Sequence, residues 1–437
     1  MRHENLSPRL PGWRERRLGD LCRPVGGGTP SRSQPAYWKG DIPWASVKDF
    51  TDNAVLLHTT AEYITAEGLE NSSSTLVPEE TPVVCTRMAV GRCALTTQPT
   101  AINQDLKALL LQEDFDRRFF IRLLHHLGPE LDRVSVGSTV RGITLRDLLF
   151  LPLYYPVRKS TQSRIAAVLD TVDEAIAKTE AVIAKLKQVR TGLLHDLLTR
   201  GLDEHGQLRD PIAHPEQFKN SPLGRLPRAW HLTTLIEACL KIADRDHTTP
   251  VYVAEGVRML SPTHFVGDDE IDFEACPRIS VEAHLQNRAK TDLAVDDVII
   301  HRIGAGLGRV RLVEAGMPEF SILHSLAMIR PRPHCLRSGF LYWAIQADVI
   351  QVQMGLGTQS IGVPDLGLDK IGGVLMAIPP LGEQERIADL LNILATNVRA
   401  ELRLLQKLNC LKSGLMNDLL TGRVRVPESI SAGDSQS

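Results

Sequence analysis

Two short runs near the N-terminus carry residue types that could do chemistry. Gly26-Gly27-Gly28 is a glycine triplet of the kind that can cradle a phosphate. Asp41-Ile42-Pro43-Trp44 joins an acid, a proline and an aromatic ring, as in the catalytic loop of amino-methyltransferases. A P-loop needs Gly-x4-Gly-Lys-Ser/Thr, which the sequence lacks. The methyltransferase loop needs two prolines after its first residue, and Ile42 replaces the first of them. Neither run therefore predicts a catalytic site.

Motifs for other chemistries are also missing from the sequence. There is no Gly-x-Ser-x-Gly elbow and no His-Glu-x-x-His motif, and Pro364-Asp365 followed by Asp369-Lys370 has the wrong spacing for a nuclease. The 7 cysteines include no Cys-x-x-Cys pair, and the 14 histidines lack the helical spacing of metal ligands. We expect reduced thiols, no metal site and no enzymatic activity of the chain itself.

Length and charge place the chain among cytoplasmic proteins of several domains. It has 437 residues, enough for two or three domains, and contains no apolar run long enough for a membrane span or a signal core. The net charge is −2, but three segments, 21–40, 81–104 and 320–347, contain basic residues and no acid. Such segments suit a surface that faces phosphates. Chance clustering on a solvated face is an equally good reading.

An internal duplication organises the sequence. Residues 164–199 and 386–421 align without gaps at an offset of 222 and share 12 identities over 36 positions. Both copies have apolar residues at alternating steps of four and three, which predicts two long helices with a coiled-coil seam. Weaker similarity precedes them, since Pro82-Val83-Val84-Cys85-Thr86-Arg87 matches Asp297-Val298-Ile299-Ile300-His301-Arg302. Each of these runs predicts a buried strand followed by a glycine-containing turn.

Chain order then predicts how the helices pair. The first globular domain precedes helix one and the second follows it, so helix two must run back along helix one in the opposite direction. In this antiparallel register Arg190 faces Glu401 and Thr179 faces Lys412, which would give the buried Arg190 an acidic partner. Alternatively, the long charged side chains extend out of the seam into solvent.

The expected fold class is α+β: two globular mixed α/β domains at opposite ends of an antiparallel two-helix coiled coil, with a pseudo-two-fold internal repeat. The predicted boundaries are a first recognition domain at 1–156, helix one at 157–202, a linker at 203–225, a second recognition domain at 226–378, helix two at 379–423 and a flexible tail at 424–437.

The stretch GGGTPSRSQPAYWKGDIPWASVKDF at 26–50 resembles the start of a target recognition domain in specificity subunits of type I restriction-modification systems. The family pattern is met at Gly27, Gly28, Thr29, Pro30, Ser31, Tyr37, Trp38, Gly40, Ile42, Pro43, Trp44 and Asp49. The run PPLGEQERIA at 379–388 is similar to the family's helix start, and DLLTG at 418–422 to its helix end. The first copy departs from this pattern, with Thr161 where the second has Glu383. The resemblance covers about residues 10–425.

The resemblance implies a non-catalytic subunit that reads a bipartite, asymmetric site in double-stranded DNA. It also implies two methyltransferase subunits as partners and, through them, restriction-translocase subunits. S-adenosylmethionine, ATP and Mg²⁺ are then expected on those partners, and this chain needs no cofactor and no membrane. The competing hypothesis is a coiled-coil scaffold that does not bind DNA specifically, and a third is a standalone DNA-modifying enzyme.

The candidate DNA-binding residues are polar or cationic side chains, with two glycines, in the basic segments and in loops. They are Gly27, Gly28, Thr29, Ser31, Lys39, Lys48, Arg87, Arg92, Asn103, Gln104, Arg141, Arg302, Arg309, Arg311, His324 and Gln359. Asn and Gln can read adenine bidentately, and Arg can bind phosphate or guanine. The candidate spacer and partner-docking residues are Gln162, Arg164, Arg190, Glu383, Gln384, Arg386, Glu401 and Lys412. For each candidate DNA contact, a solvated surface role is the alternative.

Overall fold

A computed structural model describes residues 10–52, 54–112, 114–134, 142–355 and 365–427 of the chain. The chain divides into two compact units. The first contains the residues up to Glu180 together with those from Arg403 onward, and the second contains Ala181–Leu402. Both divisions fall inside long helices, so each unit contains one segment of each helix.

The first unit consists of short strands and short helices followed by the beginning of a long helix. Its strands are β1 (Trp13–Arg17), β2 (Cys22–Gly26), β3 (Trp38–Ala45), β4 (Leu56–Leu57), β5 (Glu62–Ile64), β6 (Thr75–Val77), β7 (Pro82–Cys85), β8 (Cys93–Thr96), β9 (Thr100–Ile102), β10 (Leu106–Leu111) and β11 (Pro152–Pro156). Its short helices are α1 (Ala66–Glu70), α2 (Arg117–His126), α3 (Gly128–Val134) and α4 (Leu145–Leu149). Helix α5 (Lys159–Thr199) begins here and continues into the second unit.

The second unit is also built of short strands and short helices, with more of each. Its strands are β12 (Phe218–Ser221), β13 (Gly224–Pro227), β14 (His231–Thr234), β15 (Cys239–Ala243), β16 (Tyr252–Val253), β17 (Val257–Leu260), β18 (Phe265–Val266), β19 (Glu270–Ile271), β20 (Arg278–Ile279), β21 (Val298–His301), β22 (Val310–Leu312), β23 (Phe320–Ile322), β24 (Leu326–Pro331) and β25 (Leu375–Ile378). Its short helices are α6 (Leu235–Ala238), α7 (Val281–Arg288), α8 (Ser338–Ile345), α9 (Asp348–Gln353) and α10 (Leu368–Gly372). Helix α11 (Leu381–Leu420) begins here and ends in the first unit.

Both units share one sheet topology, which extends the duplication beyond the helices. The order β2-β10-β7-β8 in the first unit corresponds to β15-β24-β21-β22 in the second. In each unit a second sheet contains one parallel pair, β3 with β9 and β17 with β23. A two-stranded pair, β1 with β11 and β14 with β25, completes each unit. The predicted strands at Pro82 and Val298 are confirmed as β7 and β21, and both are fully buried.

In the first unit, the start of α5 packs against the end of α11. Ile165 and Leu169 share an apolar core with Leu419 and Leu420. Asp173 on α5 forms an ion pair of 2.7 Å with Lys412 on α11. Farther back along α5, Arg164 donates to the carbonyl of Pro427, 3.3 Å away. Because the partner numbers fall as the α5 numbers rise, the two segments run in opposite directions within this unit.

In the second unit, the end of α5 packs against the start of α11. Leu197 and Leu198 share a core with Ile387 and Leu391. Just beyond α5, the main-chain N–H of Leu202 donates to Glu383, 2.9 Å away. The seam of apolar residues predicted from the heptads therefore lies buried in both units, because neither helix could bury its stripe alone.

The predicted partners of the charged seam residues are wrong. Arg190 donates to Asp268 at 2.7 Å rather than to Glu401, and Asp268 lies in the turn between β18 and β19. Lys412 binds Asp173 rather than lying against Thr179, whose hydroxyl donates to the carbonyl of Ala175. Helical periodicity shows which face a side chain occupies, but it carries no information about carboxylates supplied by other elements.

Candidate nucleic-acid interface

The glycine-rich stretch is a close-packed backbone segment. A Cβ atom on Gly27 would lie 1.9 Å from the carbonyl oxygen of Ile102, and one on Gly28 would lie 1.9 Å from the hydroxyl of Ser73. The N–H of Gly28 donates to Ile102 O at 3.1 Å, and Trp44 Nε1 donates to Gly28 O at 3.1 Å. Since this N–H is already used, Gly28 cannot turn it toward a phosphate. The run Asp41-Ile42-Pro43-Trp44 lies within β3 and forms no catalytic loop.

The structure brings four polar residues of the first unit together, which we call the Gln104 patch: Thr29, Arg87, Gln104 and Lys107. Thr29 Oγ1 donates to Gln104 Oε1 at 2.6 Å, and Lys107 Nζ donates to the carbonyl of Gln104 at 3.3 Å. Burial first and the nearby Arg87 second lower the pKa of Lys107. The Arg87 side chain is 64% exposed and lies 3.8 Å from Asp105. The patch thus presents the exposed side chains of Arg87 and Gln104 to solvent, with the half-buried Lys107 beside them.

Sequence analysis missed Lys107. It lies in β10 among apolar residues, and its side chain extends to the loop that contains Gln104. Lys107 Nζ lies near Gly26, where an added Cβ would be 3.0 Å from it, only because β2 pairs with β10. This proximity therefore leaves no signal in the sequence.

Three further candidates of the first unit remain exposed. Ser31, Lys39 and Lys48 are on the surface, and Lys39 has a positive φ of 63°. Lys48 is close enough to Glu62 to contribute to the lowered pKa of that carboxyl, although the hydrogen bond from Arg32 is the main cause. These side chains are free to meet a phosphate backbone.

Arg92 and Asn103 do not fit the predicted reading role. Arg92 binds Asp52 through two nitrogens, at 2.7 and 3.2 Å, and also the carbonyl of Phe50. Asn103 is 5% exposed, and its Oδ1 accepts from the N–H of Asp105 at 3.0 Å, which closes a turn. Their polar groups already have partners, Arg92 at the surface and Asn103 in the interior, so base reading would break existing bonds.

The three candidate arginines of the second unit all bind groups within the protein. Arg302 is 5% exposed and binds Asp244 at 2.9 Å and Asp365 at 2.8 Å. Arg309 donates to the carbonyls of Phe265 and Gly267. Arg311 is 1% exposed, and burial lowers its pKa to about 10. Arg302 and Arg311 cannot present their guanidinium groups to DNA without unpacking the unit, so that prediction is wrong for these two, whereas the half-buried Arg309 remains a predicted DNA contact.

Arg311 instead holds the turn between β18 and β19. It donates to the carbonyls of Val266, Gly267, Asp268 and Glu270, at 2.8–3.2 Å. In this turn Asp268 forms an ion pair with Arg190 at 2.7 Å, and Asp269 forms one with Arg399 at 2.9 Å.

His324 stacks on His247, with ring centroids 4.8 Å apart. Burial first, and then the adjacent His247 and arginines, lower the pKa of His324. Arg141 and Gln359, the two remaining candidates, lie outside the described residues.

The helix-start glutamines are buried supports rather than docking residues. Gln162 is 2% exposed, accepts from the N–H of Asp116 and donates to the carbonyl of Pro156, both at 2.9 Å. Gln384, at the equivalent repeat position, accepts from the N–H of Arg337 and donates to the carbonyls of Cys335 and Pro379, all at 2.8 Å. Each glutamine ties a long helix to its own globular unit.

Glu383 is also buried, at 3% exposure, and is the centre of a four-donor network. It accepts from Arg209 at 2.6 and 3.0 Å, from Trp230 Nε1 at 3.1 Å and from the N–H of Leu202. Partner docking through Gln162, Glu383 or Gln384 is therefore wrong, because their polar atoms point inward. Arg386 is exposed and donates to the carbonyl of Asp203 at 3.4 Å.

The described residues define a duplicated α+β protein whose candidate site consists of exposed cations and amides. Within those residues no group of three or more His, Cys, Asp or Glu side chains could hold a metal ion. Among the helices of the described residues, none combines the length and the apolar character of a membrane span.

Comparison with known proteins shows which family this chain resembles. Residues 11–188 match the family described as the type I restriction modification DNA specificity domain. A type I restriction enzyme specificity subunit of Escherichia coli is 30% identical over 163 residues, covering 36% of this chain and 40% of the relative. The MjaIX specificity subunit of Methanocaldococcus jannaschii is 24% identical over 230 residues, 51% of this chain and 50% of the relative. The chain thus spans about half the length of these curated relatives.

Solved structures show the same fold over nearly the whole chain. The crystal structure of the type I restriction-modification S subunit from M. genitalium has a TM-score of 0.59 at 17% identity, covering 95% of this chain and 97% of that one. A structure from a study of type I restriction-modification system assembly has a TM-score of 0.57 at 18% identity, and the match covers 96% of this chain and 100% of that one. The resemblance found in the sequence is confirmed: this chain is similar to the specificity subunits of type I restriction enzymes.

Proposed function

We propose that this chain is the DNA-specificity subunit of a type I restriction-modification complex and reads a bipartite, asymmetric duplex site. The observation that carries the proposal is the match of residues 11–188 to a DNA specificity domain, together with the recurrence of its strand order in the second unit. Two recognition units of unlike surface chemistry suit two unlike half-sites. The Gln104 patch with Lys39 and Lys48 supplies the phosphate-facing surface of the first unit.

The proposed layout places the two recognition domains at opposite ends of the paired long helices, with a pseudo-two-fold axis between them. It is supported by the opposite directions of the helix segments within each unit. Helix α5 has 41 residues, so at 1.5 Å per residue its length is about 60 Å, or ~18 base pairs of axial rise. The helices would then set the length of an unread spacer between the half-sites.

The proposed partners are two methyltransferase subunits and, through them, restriction subunits, in the cytoplasm. The chain itself is proposed to be non-catalytic, with S-adenosylmethionine, ATP and Mg²⁺ bound by the partners. Methylation needs the target base flipped into an active site, and the sequence has no such motif. Exposed apolar side chains on α11 in the second unit, including Ile393 at 57% and Leu402 at 42%, are a better docking surface than the buried helix-start residues.

Methylome sequencing tests the proposal. A host that expresses this chain with its methyltransferase partner should acquire methylated adenines in one gapped motif, absent when the chain is omitted. An ungapped motif, or the same methylation without the chain, would contradict the proposal. Binding of the full chain to random duplex at low salt separates it from the scaffold hypothesis, which predicts no binding.

A further inference from the structure

A cavity of about 370 Å³ lies in the second unit between the loop that follows β15 and helix α7. Its lining includes Arg245, Thr248, Asn287 and Lys290. The loop occupies the same topological place as the glycine-rich stretch of the first unit, since β2 and β15 are equivalent strands. None of these four residues was singled out from the sequence.

Arg245 is a buried cation that forms no ion pair within 4 Å among the described residues. It is 7% exposed, and Nη2 donates to Thr248 Oγ1 at 2.8 Å. Nε and Nη1 are buried with no hydrogen-bond partner within the part of the chain that the structure describes. Burial accordingly lowers its pKa. In the equivalent loop of the first unit, Arg32 is instead matched by Glu62.

A second unpaired donor lines the same cavity. Nδ2 of Asn287 is buried without an acceptor among the described residues. The acidic side chain lining the cavity, Asp246, is already bound to Lys290. Three buried N–H groups therefore surround a space with no free carboxylate. Leaving such donors unpaired is unfavourable, so the cavity suits a ligand that supplies hydrogen-bond acceptors.

We propose that this cavity binds one phosphate group through Arg245 and Asn287, and that its occupant in the complex is a backbone phosphate of DNA. The second part rests on the proposed function, whereas the first part does not. Arg245 supplies a planar pair of donors that matches phosphate oxygens, and the hydroxyl of Thr248 extends the donor set. The contact would position the second unit on the duplex without reading a base.

The test compares the full wild-type chain with Arg245→Gln, Asn287→Asp and Arg288→Gln. Arg288 is the matched control because it lies on the same helix, is exposed and pairs with Glu319 outside this cavity. Asn287→Asp keeps the side-chain size and adds a carboxylate that repels phosphate. It also provides a second cavity variant, so that the test still holds if Arg245→Gln does not fold.

Two measurements separate the sources of phosphate. Inorganic phosphate, compared with chloride at equal ionic strength, should raise the Tm of the wild type and Arg288→Gln but not of the two cavity variants. For random-sequence duplex, the slope of log Kd against log salt should fall by about one in the cavity variants, with ~3- to 10-fold weaker binding, beyond the change in Arg288→Gln.

Each outcome decides one proposal. Equal phosphate response and equal slope in Arg245→Gln, Asn287→Asp and wild type would overturn the phosphate site while leaving DNA recognition intact. A phosphate response lost in the cavity variants, with no DNA binding by the wild type, would establish the site and overturn the proposed function. A phosphate response lost without a change in slope would overturn the assignment of the occupant to DNA.

Discussion

Arg190 on the first long helix donates to Asp268 at 2.7 Å, and the next residue, Asp269, accepts from Arg399 on the second long helix at 2.9 Å. Two adjacent carboxylates of one turn thus bind both helices of the second unit. Buried Arg311 supports the turn from behind through four main-chain carbonyls. We call this arrangement the β18–β19 brace.

The brace predicts coupling between Arg190 and Asp268. Burial disfavours the Asp268 carboxylate, but the hydrogen bond and charge of Arg190 outweigh it and lower the pKa. Since the pair is partly exposed, a double-mutant cycle of Arg190→Gln and Asp268→Asn should give about 0.5–1 kcal/mol from urea denaturation. The same cycle with Glu401→Gln in place of Asp268→Asn should give a value near zero, and coupling to Glu401 would restore the sequence-based register.

Glu383 should be far more important for stability than Glu385, two residues later. Glu383→Gln breaks a buried ion pair and leaves Arg209 without its counter-ion, at a cost of about 3–5 kcal/mol. Glu385 pairs with Arg337 at 2.8 Å at an exposed position, so Glu385→Gln should cost at most about 1 kcal/mol. Chemical denaturation of both variants checks this. Similar losses would show that the buried network contributes little.

Substitution by alanine should have opposite effects on stability at two classes of glycine. Gly27→Ala places a Cβ against a backbone carbonyl and should cost about 3 kcal/mol or more. Gly192 and Gly414, at equivalent positions in the long helices, have no atoms within 4 Å of an added Cβ. Alanine there should raise stability by ~0.5–1 kcal/mol each. A loss of stability in the helix variants, measured by thermal denaturation, would indicate an unrecognised contact.

Arg311 and Lys48 should separate stability from DNA affinity. Arg311→Met leaves several buried carbonyls without donors and should cost on the order of 3 kcal/mol. Lys48→Ala should leave the Tm unchanged, weaken duplex binding a few-fold and reduce the salt slope by about one. Denaturation and salt-dependent binding measure the two effects. Unaltered stability in Arg311→Met would return that residue to the list of candidate DNA contacts.

Asp292 should make stability sensitive to acid. Hydrogen bonds from Lys241 and then Arg330 lower its pKa to about 2, against the opposing effect of burial. Because the folded pKa lies below the unfolded value, the stabilisation is present at neutral pH and is lost as the pH falls from about 4 to about 2. Asp292→Asn should lower stability by ~1 kcal/mol at pH 6 and less at pH 3.

The control for this pH dependence is Glu255→Gln, which removes an exposed carboxylate of the same unit. Its denaturation midpoint should follow the wild type at both pH values. An equal loss at pH 6 and pH 3 in Asp292→Asn would mean that the effect is not electrostatic.

The duplication, the two long helices and the buried strands were predictable because each depends on local periodicity. Residues four and three apart lie on one helix face whatever surrounds them, and the runs at Pro82 and Val298 are apolar enough to be buried in any context. The glycine triplet was also interpretable, since a missing P-loop residue excludes that site directly.

The roles of the charged and polar residues were decided only by tertiary structure. Lys39 and Arg311 both occupy basic, glycine-containing segments, yet one is exposed and the other is 1% exposed. Arg311 is buried because it meets carbonyls from residues 266–270, more than forty positions earlier in the chain. Gln162 and Gln384 likewise point inward because main-chain groups from distant elements need partners there. A long polar side chain can hydrogen-bond to water, to a phosphate or to a buried carbonyl. The sequence specifies the side chain, but only the folded chain determines which of these partners lies within reach.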